Sequence, residues 1–135
     1  MGDLQRFVDA QERVMARVRE ELKTGKKKSH WMWFIFPQVA GLGHSETARR
    51  YAIASLDEAR AFAAHPVLGP RLRECVKLAL AARNGTAQAI FGHPDDLKFR
   101  SCMTLFGRAT GDALFREALE KFYGGEEDPE TVKRI

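Results

Sequence analysis

Apolar residues recur at spacings of three, four and seven in the N-terminal segment, where Leu4, Phe7, Val8, Val14, Met15, Val18 and Leu22 form one stripe. That spacing predicts an amphipathic helix, capped by Asp3 and ended by Gly25. Helical periodicity then lapses over Trp31-Met32-Trp33-Phe34-Ile35-Phe36, six consecutive apolar residues before Pro37, and extended chain is expected there. Gly41-Leu42-Gly43 supplies a turn, and Ser45 caps a short helix running through Tyr51. Ser55 and Glu58 form a capping box ahead of a helix with Leu56, Ala59, Phe62 and Ala63, which His65-Pro66 ends.

The stripe returns from about Val67 to Arg83, with Leu68, Leu72, Cys75, Val76, Ala79 and Leu80, and stops at Asn84-Gly85. Thr86 caps a short helix to Phe91. Pro94-Asp95 starts another through about Phe106, with Asp95 as its cap, and Thr110 or Gly111 opens a last long one bearing Leu114, Phe115, Ala118, Leu119 and Phe122. The segment 124–135 begins with two glycines and the acidic cluster Glu126-Glu127-Asp128. It reads as a loosely packed tail in which Pro129 sits in the first turn of a short helix. The prediction is a mainly α protein: residues 1–135 as a single compact helical domain of six or seven helices with at most one short extended segment.

Composition fits this picture. The 135 residues are 44% hydrophobic and 30% charged, enough to build a core without metal or disulfide staples. Cys75 and Cys102 lie inside apolar patterns and read as reduced core residues. Acidic and basic residues interrupt the N-terminal stretch, so neither a signal peptide nor a membrane span is expected, and a cytoplasmic location follows. The 22 basic and 18 acidic residues give a net charge of +4. Much of that excess is the run Lys23, Lys26, Lys27 and Lys28, which the partial negative charge of a helix C-terminus explains structurally.

Standard phosphate-loop, dinucleotide, zinc-protease and nucleophile-elbow motifs are lacking, and His30, His44, His65 and His93 share no metal-ligand spacing. No metal and no cofactor are expected. Two places stand apart from ordinary core. In the first, Ser29, His30, Gln38, His44 and Ser45 flank the aromatic run, whose Trp31 and Trp33 can line a pocket or serve as core. In the second, Leu97, Phe99, Cys102, Met103 and Phe106 make a helix apolar nearly all round. Its Lys98, Ser101 and Thr104 therefore need partners. The structural answer pairs Lys98 with Asp95, Glu46 or another carboxylate. The functional answer is an anionic ligand held by Lys98 and Arg100 with hydrogen bonds from Ser101 and Thr104.

The phrases Lys28-Ser29-His30-Trp31-Met32-Trp33-Phe34-Ile35-Phe36-Pro37-Gln38, Gly41-Leu42-Gly43, Tyr51-Ala52-Ile53, His65-Pro66-Val67-Leu68-Gly69-Pro70-Arg71-Leu72, Ile90-Phe91-Gly92 and Asp96-Leu97-Lys98-Phe99-Arg100-Ser101-Cys102-Met103-Thr104-Leu105-Phe106 resemble the family called domain of unknown function 1810. The resemblance covers nearly the whole chain and implies a mainly helical single domain. It implies no activity. Some members carry the label calpastatin-like, but inhibition of that type uses long disordered segments that fold on a protease, and this chain is patterned as ordered. The arrangement is also similar to small helical N-glycosidase domains acting on ADP-ribose-like or nucleotide-derived compounds, though none of their catalytic residues aligns here.

Three functions follow as expectations. The first is a pocket for a small anionic molecule such as a nucleotide, an ADP-ribose-like compound or a sugar phosphate, lined by Ser29, His30, Trp31, Trp33, Gln38, Lys98, Arg100, Ser101 and Thr104. Hydrolase chemistry there would use Asp95 or Asp96 as base and His30 as acid. The second is a protein-interaction module without chemistry. The third is a nucleic-acid accessory protein resting on the lysine run with Arg49 and Arg50.

Overall fold

The computed structural model describes residues 3–83 and 85–135, so the stop expected at Asn84 falls outside the described residues. Among the described residues the chain forms α1 (Gln5–Glu12), α2 (Met15–Thr24), α3 (Met32–Ile35), α4 (Glu46–Arg50), α5 (Leu56–Ala64), α6 (Leu68–Ala81), α7 (Ala87–Phe91), α8 (Asp95–Thr110), α9 (Ala113–Tyr123) and α10 (Pro129–Arg134). The mainly helical class holds, but the helices number ten rather than six or seven. The N-terminal stripe is divided, and two short turns join the count.

The division falls at Arg13 and Val14, just after a polar residue that an apolar stripe passes over. Gln11 is buried, and its Nε2 donates to the Phe34 carbonyl at 2.8 Å. Val14 then leaves helical geometry at φ −126°, and α2 restarts with Met15, Val18 and Leu22 facing the core. A buried amide bonded to backbone avoids the desolvation cost of an unpaired one, so this bond ties the end of α1 to the tryptophan-rich run.

The tryptophan-rich run is likewise not extended. It winds into α3, and the extended backbone begins later, where Ala40 donates to the Ile53 carbonyl and Ile53 to that of Gln38, each at 2.8 Å. Those bonds make an isolated parallel bridge between Val39 and Ile53. Period-based reading fails here because α3 is a single turn, buried at Met32 and Ile35, too short to display a stripe.

Local capping follows the sequence at three helices, whereas α1 is capped at Leu4 rather than Asp3. Ser45, Ser55 and Thr86 cap α4, α5 and α7, and Glu58 reaches back to the Ala54 amide to complete a variant of the capping box. His65 ends α5, and its Nδ1 then accepts from the Val67 and Leu68 amides to open α6. At α8 the cap is Pro94, with Asp95 one position inside, and the helix continues to Thr110 beyond the expected Phe106. Asp112 caps α9.

Helix α8 is the central element, packed against α5, α7, α9 and α10. Phe99 and Phe106 are its aromatic anchors: Phe99 meets Phe36 edge-on at 4.9 Å and stacks on Phe91 at 4.6 Å, while Phe106 meets Phe62 at 5.3 Å. Cys75 and Cys102 are free and buried, and burial pushes both thiols up, Cys75 to about 12. Neither is a thiolate at neutral pH. No helix among the described residues is long and apolar enough to cross a membrane.

The α5–α6 corner depends on Gly69. A Cβ there would lie 2.2 Å from the Ala63 carbonyl oxygen, a backbone atom with little room to yield. Gly69→Ala is expected to lower stability by about 1–3 kcal/mol, the usual cost of forcing an added methyl into packed structure. Urea denaturation measures this, and an unchanged midpoint would show that the corner opens without strain.

Candidate functional site

Glu21 organises the approach to the site. It lies three residues beyond Val18 on the buried face of α2, and its carboxylate accepts from the Lys28 amide at 2.7 Å, the Ser29 amide at 3.1 Å, the Ser29 hydroxyl at 2.6 Å and Trp31 Nε1 at 2.9 Å. Burial alone would raise its pKa, but these four donors outweigh burial and hold it below the ordinary carboxylate range. The turn between α2 and α3 is thereby wrapped around one anion. Ser29 and Trp31 are given to that carboxylate, and Trp31 is fully buried, so neither lines a cleft.

The same turn directs Lys27 inward. Its Nζ lies 2.8 Å from Asp95 Oδ2, while Lys98 Nζ lies 2.9 Å from Asp95 Oδ1. One carboxylate therefore bridges two ammonium groups, and the cluster carries a net charge of +1. Burial raises the Asp95 carboxyl, but the hydrogen bonds and charges of Lys27 and Lys98 overcome it and hold the group below its ordinary value. Lys27 is the more enclosed partner, with 8% of its side chain exposed against 20% for Lys98. The two lysines share the cluster's positive charge, and Lys98, the more exposed of them, also has its Nζ 4.1 Å from the centroid of the Trp33 ring.

Lys98 lines a cleft of about 240 Å³ built by three parts of the chain. Trp33, Gln38 and Gly43 form one wall, Lys98 and Ser101 of α8 a second, and Asp128 and Glu130 at the start of α10 a third. Leu97 stands at its edge, nearly half exposed. Gly43 permits the closeness of the first wall, because a Cβ there would lie 2.6 Å from that of Ala48. A smaller cavity of about 140 Å³, reaching Arg49 and Tyr51, shares Trp33, Gln38 and Gly43 with the cleft.

The remaining candidates fall elsewhere. Arg100 bonds the Glu126 and Glu127 carbonyls at 3.0 Å, securing the α9–α10 connection. Thr104 is fully buried; its hydroxyl donates to the Arg100 carbonyl and accepts from the Asp128 amide, both at 2.9 Å. His30 is exposed and makes no hydrogen bond to either aspartate among the described residues. Asp96 meets His93 Nδ1 at 3.0 Å and gives its carbonyl to the Tyr123 hydroxyl. The acid–base pairing of His30 with Asp95 or Asp96 is therefore not assembled. No group of three or more His, Cys, Asp or Glu side chains suited to a metal ion occurs among the described residues.

The family model described as protein of unknown function, DUF1810, matches residues 1–135. The chain belongs to this family. The DUF1810 fold seen here is also that of the conserved hypothetical protein Rv1873 from Mycobacterium tuberculosis, known from a crystal structure. The two chains are 52% identical over 98% of this chain and 96% of that one, with a TM-score of 0.97. None of the curated proteins matches this DUF1810 chain.

Sequence reasoning missed Lys27, Glu21 and Asp128. Lys27 was hidden by its neighbours, since three adjacent lysines read as a solvated helix end. Glu21 had a signal, a carboxylate on an apolar stripe. Asp128 had one too: Asp-Pro three residues before Thr131 is an N-cap pattern, and Asp128 indeed caps α10.

Both Glu21 and Asp95 have folded-state pKa values below their unfolded ones, so the unfolded chain binds more protons in that interval. Their contribution to stability is full above the unfolded carboxylate pKa of about 4 and is lost as the pH falls through the lowered folded values. Asp95→Asn, which strands two lysines, is expected to cost on the order of 3 kcal/mol at neutral pH. It should also flatten the acid limb of a plot of unfolding free energy against pH. A variant as acid-sensitive as the parent would remove Asp95 from this role.

Proposed function

We propose that this DUF1810 protein binds a small anionic ligand in the Trp33–Lys98 cleft. The observation that carries this reading is the sharing of Asp95 between Lys27 and Lys98, which leaves that three-residue cluster with a net charge of +1 and places one of its two ammonium groups on the cleft. An ammonium that only shares its carboxylate can still donate a charge-assisted hydrogen bond to a bound anion. At about 240 Å³ the cleft is smaller than the 300–1,000 Å³ common for drug-sized ligands, which suits a sugar phosphate or the phosphate-bearing end of a nucleotide or ADP-ribose-like compound. The reading is one of binding, since among the described residues His30 meets neither Asp95 nor Asp96. The nucleic-acid reading has less support, because Lys27 of the basic run is turned into the interior.

Thermal unfolding with ribose 5-phosphate, AMP, ADP-ribose and inorganic phosphate tests the proposal. A ligand that binds only the folded form raises the melting temperature. At least one of the four is expected to do so, and Lys98→Gln, which leaves the Lys27–Asp95 pair intact, should abolish the rise. No shift with any of them, or an equal shift in Lys98→Gln, would overturn the reading.

A further inference from the structure

The cleft is electrically two-sided, and its other side specifies what the ligand must carry beside its anion. Asp128 Oδ2 accepts from the Thr131 amide at 3.0 Å, the Thr131 hydroxyl at 2.6 Å and the Ser101 hydroxyl at 3.0 Å. Its Oδ1 takes no hydrogen bond among the described residues and is not fully buried, Asp128 lines the cleft, and no lysine or arginine among the described residues pairs with the carboxylate. Glu130 differs: Lys133 holds Oε2 at 3.2 Å and Arg134 holds Oε1 at 3.1 Å. One charged acceptor therefore faces the cleft with capacity to spare. The Gln38 side-chain amide, likewise without a hydrogen-bond partner among the described residues, adds a donor and an acceptor on the facing wall.

An ammonium, an open carboxylate oxygen, a primary amide and an indole around one small cleft make a definite chemical pattern. The ammonium takes one anionic group. The carboxylate and amide take hydroxyl donors, and the indole offers an apolar face to a ring. A second phosphate would be brought toward the Asp128 charge and repelled. We infer that the ligand class is a sugar or polyol monophosphate, its phosphate held at Lys98 and its hydroxyls read by Asp128 and Gln38, with polyphosphates disfavoured. This assignment rests on the reading of Lys98 as the anion site.

Isothermal titration of the full chain with ribose 5-phosphate, inorganic phosphate and ATP separates the two levels of the proposal. Ribose 5-phosphate is expected to bind more tightly than inorganic phosphate by about tenfold, the increment of one hydrogen bond to a charged group, and more tightly than ATP. Asp128→Asn keeps a good N-cap for α10 but replaces the open acceptor with a donor, so the ratio of the two affinities should collapse toward one. Gln38→Leu leaves the backbone bond of Gln38 to Ile53 in place and should reduce the same ratio, which keeps the test available if Asp128→Asn is poorly folded. A ratio near one in the parent protein, or a ratio unchanged in both variants, overturns the sugar assignment while Lys98-dependent phosphate binding persists. Phosphate binding indifferent to Lys98→Gln overturns the anion site itself.

Discussion

The carboxylate of Glu21 is the anchor on which the functional end of the molecule depends. A buried anion must be surrounded by donors, and the nearest donors in the chain are the amides and side chains of the turn that follows α2. By collecting the Lys28 and Ser29 amides, the Ser29 hydroxyl and the Trp31 indole, Glu21 leaves that turn one compact path. Lys27 is then carried inward to Asp95, and α3 is placed so that Trp33 reaches the cleft rather than the core. The two tryptophans, two residues apart, are thus divided in role: Trp31 is structural and Trp33 is available.

Helix α8 transmits this arrangement to the rest of the protein. Its hydroxyls satisfy themselves first on the preceding turn, Ser101 on the Leu97 carbonyl and Thr104 on that of Arg100. Thr104 keeps its oxygen free to accept from the Asp128 amide, while the single Ser101 hydroxyl proton is shared between the Leu97 carbonyl and Asp128 Oδ2, so the C-terminal segment is fixed against α8 by the same residues that resolve the helix's own buried polarity. Arg108 adds a charged clasp to Glu127, at 2.7 Å through each of two nitrogens. The segment that reads as a loose tail supplies a wall of the cleft.

Much of the fold is legible in local pattern. Serine or threonine caps at 45, 55 and 86, the His65-Pro66 stop and Pro129 in the first turn of α10 all obey interactions spanning four residues or fewer, and they stand where the sequence places them. The readings that changed involve distant partners. Gln11, at the end of the first helix, is held by a bond to Phe34, and the extended backbone shifts to Val39 because its partner is Ile53. The need of Lys98 for a counter-charge is local, and Asp95, three residues before it, meets that need. The second lysine on Asp95 came from residue 27, far outside the reach of helical spacing.

By itself, the sequence determined a mainly helical chain, the caps of α4, α5 and α7 with the stops of α2, α5 and α7, and the presence on α8 of polar groups that a buried surface cannot leave alone. These are consequences of backbone hydrogen bonding and of apolar periodicity, both set by near neighbours. Tertiary structure alone decided which polar groups are spent and which are left over. Ser29, Trp31, Arg100 and Thr104 are consumed by partners in the fold, whereas Trp33, Gln38, Lys98 and Asp128 converge from separate segments on one cleft. Whether a buried hydrogen-bonding group is satisfied depends on every group that packing brings within about 3 Å of it, and only the folded chain specifies that set.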